Sequence, residues 1–113
     1  MERRKHPRIA HKSLYTIPVT FSGEAKGAGT LYDLSPGGCK VDSRTTPPLG
    51  ASLTLRLAVS YKSEPVKIDA AVVGWTIKDK YFGVKFLSVK PTERLALERY
   101  LDSLADSPQP TLF

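Results

Sequence analysis

Leu53-Thr54-Leu55-Arg56-Leu57-Ala58-Val59 is the stretch that sets the architecture. Aliphatic residues occupy every second position, with Thr54, Arg56 and Ala58 between them. A strand sends successive side chains to opposite faces, so this stretch reads as a half-buried β-strand. The same period extends upstream. Tyr15, Ile17, Val19 and Phe21 alternate with Thr16, Pro18 and Thr20. Pro18 inside such a run predicts an edge or a bulge. Ser22-Gly23-Glu24 turns the chain, and Gly29 to Asp33 reads as a short second strand. Ser35-Pro36-Gly37-Gly38 is a tight turn into a third strand carrying Cys39 and Val41. Cys39 is expected to point inward as a small hydrophobe.

Downstream of the opening stretch, Ser60 to Pro65 returns the chain. Val66, Ile68, Ala70 and Val72 share one phase, and Val73, Trp75 and Ile77 share the other. One extra residue in a strand produces such a flip, so a β-bulge is predicted at Val72-Val73. Phe82, Val84 and Phe86 make a sixth strand. Short strands with polar connections point to a small antiparallel barrel or sandwich. The period then changes. Pro91-Thr92-Glu93 opens a helix whose Leu97, Tyr100, Leu101 and Leu104 fall on one face. That face is predicted to pack on the barrel, over an open end or an edge.

Composition narrows the chemistry. The chain has 113 residues, one domain's worth, with 41% hydrophobic and 25% charged residues. No run is long and apolar enough for a transmembrane helix. No apolar stretch follows the first eight residues as a signal peptide requires, so the expected location is the cytoplasm. The single Cys39 allows no internal disulfide and fits a reducing compartment. One Cys and two His make a poor structural zinc set. There is no P-loop and no G-x-S-x-G elbow. We expect a protein without catalytic activity and without a resident cofactor.

The net charge of +6 is local. Arg3, Arg4, Lys5, Arg8 and Lys12 face only Glu2 among the first twelve residues. Such an arm attracts nucleic acid, nucleotide or membrane phosphate, but equally describes a solvated terminus. The chain divides accordingly into a basic arm (1–12), a barrel with its closing helix (13–105) and a Pro-containing tail (106–113).

Two motifs carry the functional reading. Arg4-Lys5-His6-Pro7-Arg8 is an R-x-x-x-R, and Asp33-Leu34-Ser35-Pro36-Gly37-Gly38 is a D-x-S-x-x-G. In that order and spacing, on this strand pattern, they resemble the PilZ domain family, whose members are bacterial receptors for cyclic di-GMP. The lead-in Glu2-Arg3-Arg4, the Val73-Gly74-Trp75 segment, Gly83-Val84-Lys85-Phe86 and the closing helix extend the likeness over nearly the whole chain. The resemblance implies a mainly all-β fold, a six-stranded antiparallel β-barrel with a C-terminal α-helix. It implies cyclic di-GMP as ligand, with Arg3, Arg4, Arg8, Asp33, Ser35, Gly37, Gly38 and Trp75 as binding residues.

The residue types suit that ligand. A guanidinium fork grips a phosphate, or the O6/N7 edge of guanine, and stacks on a purine. Pro7 disfavours a regular helix through His6, so the arm is expected to fold over the ligand extended or turned. Asp33 can accept from guanine N1–H and N2–H or hold an arginine. Ser35 can bond a base or phosphate oxygen. Gly37 and Gly38 can take positive φ and bring backbone N–H groups close to the ligand. The competing reading of Asp33 and Ser35 is an ordinary turn bonding its own backbone. Trp75 is either core or a stacking partner of guanine. Lys85 is either a solvated residue or a phosphate contact. His6 and His11 carry no assigned role. In this family the residue before R-x-x-x-R influences stoichiometry, and Arg3 there favours an intercalated ligand pair over a single ligand.

The expected function is that of a receptor or adaptor: nucleotide orders the arginine arm onto the barrel and alters the surface offered to an effector protein not named by the sequence. No membrane partner is expected. One alternative is a nucleotide-independent adaptor, although both motifs are intact here. The other is a small basic barrel for single-stranded nucleic acid. That reading is disfavoured because Tyr15, Phe21, Phe82 and Phe86 share strand phases with aliphatics.

Overall fold

Alternation closes into a ring. In the structure, a computed structural model, residues 17–59 and 64–106 are described, the last two by backbone alone. Arg3, Arg4, Arg8, Tyr15, most of the Ser60–Pro65 connection and the tail beyond 106 lie outside the described residues. The elements are β1 (Pro18–Gly23), β2 (Gly27–Ser35), β3 (Gly38–Asp42), β4 (Ser52–Leu57), β5 (Val66–Ile77), β6 (Tyr81–Ser88) and α1 (Pro91–Asp106). The strands form a closed barrel in the order β1-β2-β3-β6-β5-β4, every neighbour antiparallel. Closure leaves no unpaired strand edge.

The opening stretch behaves as its period demands. Leu53, Leu55, Leu57 and Val59 point into the barrel and are buried, while Arg56 is exposed. They meet Val19, Phe21, Leu31, Val41, Ile68 and Phe82 in one core. Each such side chain contributes roughly 1.5–3 kcal/mol by leaving water. The ion pairs of Asp69 with Lys67 (3.7 Å) and Lys90 (3.9 Å) lie at the surface, where such pairs contribute about 0–1 kcal/mol. The core therefore holds the barrel.

Three sequence expectations are corrected. Pro18 lies at no edge. It is the first residue of β1, where its missing N–H disturbs no pairing, and its carbonyl accepts from Ala58 N at 3.0 Å. The second strand runs from Gly27 to Ser35, longer at both ends than Gly29 to Asp33. The phase flip in β5 does not sit at Val72-Val73. Val66 and Ile68 are buried, then Ala71 and Val73, so the inward phase changes across Asp69-Ala70, where the β4–β5 register slips. A second slip, between Val73 and Trp75 against β6, leaves Gly74 as the extra residue. The run Ala70-Ala71-Val72-Val73 is apolar in both phases, so periodicity alone does not locate the flip.

The register places the start of β1, the end of β2, the start of β3 and the end of β6 at one end of the barrel. The helix leaves β6 there. Leu97, Tyr100, Leu101 and Leu104 are buried in the barrel's own core. Glu93 Oε1 accepts Lys67 N–H at 2.9 Å, which ties the first helical turn to β5. Arg94 Nη1 lies 3.4 Å from Pro36 O in the β2–β3 turn. The helix thus covers this end, and no edge exists for it to cover. Among the described residues, no helix is long and apolar enough to cross a membrane.

Candidate functional site

Cross-strand register assembles the site. Asp33 on β2 opposes Lys40 on β3, Lys40 opposes Gly83 on β6, and Gly83 opposes Trp75 on β5. The next row, Leu34, Cys39, Val84 and Val73, is buried, so the Asp33 row faces out of the barrel. Cys39 points inward as expected. The row beyond is Ser35, Gly38, Lys85 and Val72. Asp33 and Ser35 thus occupy successive outward positions on one patch, beside Trp75 and Lys85.

A bulge makes the patch possible. Leu31 opposes Val41 and Asp33 opposes Lys40, which leaves Tyr32 as an extra residue on β2. Its ring stands on the outer surface and stacks on Tyr81, centroids 5.7 Å apart at 28°. Trp75 meets Tyr81 edge-on at 5.8 Å and 84°. Lys40 Nζ lies 4.9 Å from the Tyr32 centroid and 5.5 Å from that of Trp75, within cation–π range of both. It also lies 3.6 Å from Asp33 Oδ2. Asp33 is only 8% exposed although it faces outward. Between these side chains opens a cleft of about 440 Å³, lined by Asp33, Lys40, Gly74, Trp75, Gly83 and Lys85.

The structure decides some of the alternatives. Trp75 is 38% exposed, so it does not belong to the core. Its indole lies against the backbone of Gly83, where a Cβ would overlap the ring at Cε2 and Nε1. Ser35 Oγ accepts Gly37 N–H at 3.3 Å and donates to Gly38 O at 3.3 Å, so the hydroxyl is engaged in its own turn. The glycines at positive φ are Gly23 and Gly50, and the tight Gly37-Gly38 turn is built without that conformation. Gly37 is exposed, with open space where a side chain would stand. Lys85 is exposed at the cleft wall. Arg3, Arg4 and Arg8 lie outside the described residues.

Sequence reasoning missed Lys40, Tyr32 and Tyr81. Lys40 was in reach, since a hairpin turning at Pro36-Gly37 brings it opposite Asp33. The tyrosines were not, because Tyr32 faces outward through its bulge and Tyr81 arrives through the β3–β6 pairing. Phe21, Phe82 and Phe86 are buried as expected, yet Tyr32 and Trp75 are exposed and pack on the half-buried Tyr81.

The packing of Trp75 on Gly83 has a measurable consequence. Gly83→Ala is expected to push the indole outward while the inward-facing core stays intact. Trp75 is the only tryptophan, so its emission reads this directly and should shift to the red. An unchanged spectrum would contradict the contact.

Comparison with known proteins agrees with this architecture. The inhibitor of motility MotI/DgrA of Bacillus subtilis superposes with a TM-score of 0.71 at 19% identity, over 96% of this chain and 55% of that one. The PilZ domain of YcgR from Escherichia coli, solved with c-di-GMP, superposes at 0.67 and 22% identity, over 92% of each chain. The PilZ domain of CeSA from a cellulose synthesizing bacterium gives 0.66 and 18%, over 88% of this chain and 98% of that one. The chain therefore spans about half the length of MotI/DgrA and nearly all of the two isolated domains. At these identities the likeness establishes a common fold. No curated protein matches by sequence search. Residues 2–103, however, match the sequence profile of the PilZ domain. With the closed six-stranded barrel and its C-terminal helix, that match makes the chain a member of the PilZ domain family.

Proposed function

We propose that this chain is a cytoplasmic receptor for cyclic di-GMP that acts by binding and not by catalysis. One observation carries the reading. Ile17 O accepts Leu31 N–H at 3.1 Å, so the described chain begins two residues along β2 from Asp33. The point from which the R-x-x-x-R segment is reached along the chain thus lies close to the D-x-S-x-x-G turn and the cleft. Arg8 precedes Ile17 by nine residues, which reach up to about 30 Å when extended. The YcgR domain solved with c-di-GMP, a member of the same family, supports the choice of ligand.

In this reading Arg4 and Arg8 grip phosphate and guanine, and Asp33 accepts from a guanine edge or holds an arginine. Trp75 offers its exposed face to a base. Ser35, Gly37 and Gly38 shape the turn that presents Asp33. Ligand neutralises the arm and orders it onto the barrel, which changes the surface shown to an effector protein. The exposed Tyr32 and Trp75, with the half-buried Tyr81 between them, also suit single-stranded nucleic acid. Salt separates the two ligands: a polynucleotide touching many phosphates gives a steep dependence, a two-phosphate ligand a shallow one.

Titration calorimetry tests the proposal. Cyclic di-GMP is expected to bind at micromolar concentration or tighter, and GTP is not. Arg3 adds a third planar cation, so the wild type should take two ligands and Arg3→Leu one. A single ligand in both proteins would contradict the role given to Arg3. A folded protein that binds no cyclic di-GMP would favour the nucleotide-independent adaptor.

A further inference from the structure

The cleft contains a contradiction that the motifs alone do not reveal. Its central residue is a nearly buried carboxylate, Asp33, yet the ligand proposed above is a dianion. Bringing phosphates toward a carboxylate in a partly dehydrated cleft is unfavourable, because the local dielectric is well below that of water. The residue that answers this is Lys40. Its ammonium lies 3.6 Å from Asp33 Oδ2, and its side chain is 29% exposed. The Tyr32 and Trp75 rings hold it there by cation–π contact. Lys40 lines the same cleft as Trp75 and Lys85.

We infer that Lys40 is an affinity-setting residue of the ligand site. It offsets the charge of Asp33 toward the phosphates. The aromatic walls fix the ammonium, so the cation is in place before ligand arrives and little side-chain freedom is lost on binding. Lys40 is on this account a positioning residue that acts through Asp33. The inference rests on the receptor reading above.

The test is calorimetric titration of cyclic di-GMP into the full chain as wild type, Lys40→Met, Lys40→Gln and Lys40→Arg, at low and high salt. Met keeps the length and apolar stem of lysine. Gln keeps a polar head should Met disturb the fold, and circular dichroism checks both. Removal of the charge is expected to weaken binding about tenfold at low salt. The deficit should narrow at high salt without vanishing, because screening acts on the solvent-exposed part of the field and only weakly inside the cleft. Arginine should restore near wild-type affinity. A purely structural role would give a deficit that salt does not move. Wild-type affinity in Lys40→Met and Lys40→Gln, tighter binding in them, or a salt-independent loss each overturns the inference. Absence of binding in the wild type overturns the receptor reading itself and is thereby distinguished from failure of Lys40 alone.

Discussion

Arg8→Ala is expected to remove cyclic di-GMP binding and leave the barrel folded. A guanidinium fork makes two parallel charge-assisted bonds to a phosphate or to the guanine O6/N7 edge. Each hydrogen bond to a charged group contributes about 1.5–3 kcal/mol. Losing both costs at least about 3 kcal/mol, which is a hundredfold or more in affinity. Arg4→Ala should behave alike. The fold should not notice either change, because the described residues by themselves close the barrel and fill its core. The check is calorimetry paired with thermal melting. Loss of the fold in either variant would mean that the arm is a structural element, and retained affinity would remove Arg8 from the site.

Phe82→Ala should have the largest effect on stability. Phe82 is fully buried near the start of β6 and meets Phe21 edge-to-face, centroids 5.1 Å apart at 75°. Truncating a buried phenylalanine costs about 3–5 kcal/mol, of which the edge-to-face pair supplies roughly 0.5–1.5 kcal/mol. A domain of this size has about 5–15 kcal/mol in total. The variant should therefore melt far lower, by roughly 4–8 °C for each kcal/mol lost. Trp75→Ala is the useful contrast, since Trp75 lies on the outer surface and its loss should cost far less. Denaturant or thermal unfolding of both variants checks the pair. Equal, small losses would contradict the placement of Phe82 in the core.

These two residues also mark what the sequence made legible. Phe82 belongs to a strict alternation with Val84 and Phe86, and a strand buried on one face admits only one phase. The same holds for Leu53 to Val59, and helical spacing served Leu97, Tyr100, Leu101 and Leu104 equally well. Asp33 and Ser35 were legible because a short motif holds them in fixed local geometry. Trp75 stood open between core and surface. Its side is set by the Gly74 bulge and by the register against Gly83, neither of which periodicity encodes. Lys40, Tyr32 and Tyr81 come together only when β2, β3, β6 and β5 align, so they needed the whole barrel. The Asp69-Ala70 flip escaped for a simpler reason: alanine and valine on both faces carry no phase.

Cyclic di-GMP is expected to bind on the outer face of β2, β3, β6 and β5. Amide and indole chemical-shift mapping during a cyclic di-GMP titration tests ligand and place together. Shifts should concentrate at Asp33, Gly37, Lys40, Gly83 and the Trp75 indole. Little change should appear at Gly29, Arg44 and Thr45, which line a separate, shallower concavity. Shifts centred on that second concavity, or none at all with a folded spectrum, would contradict binding on this face.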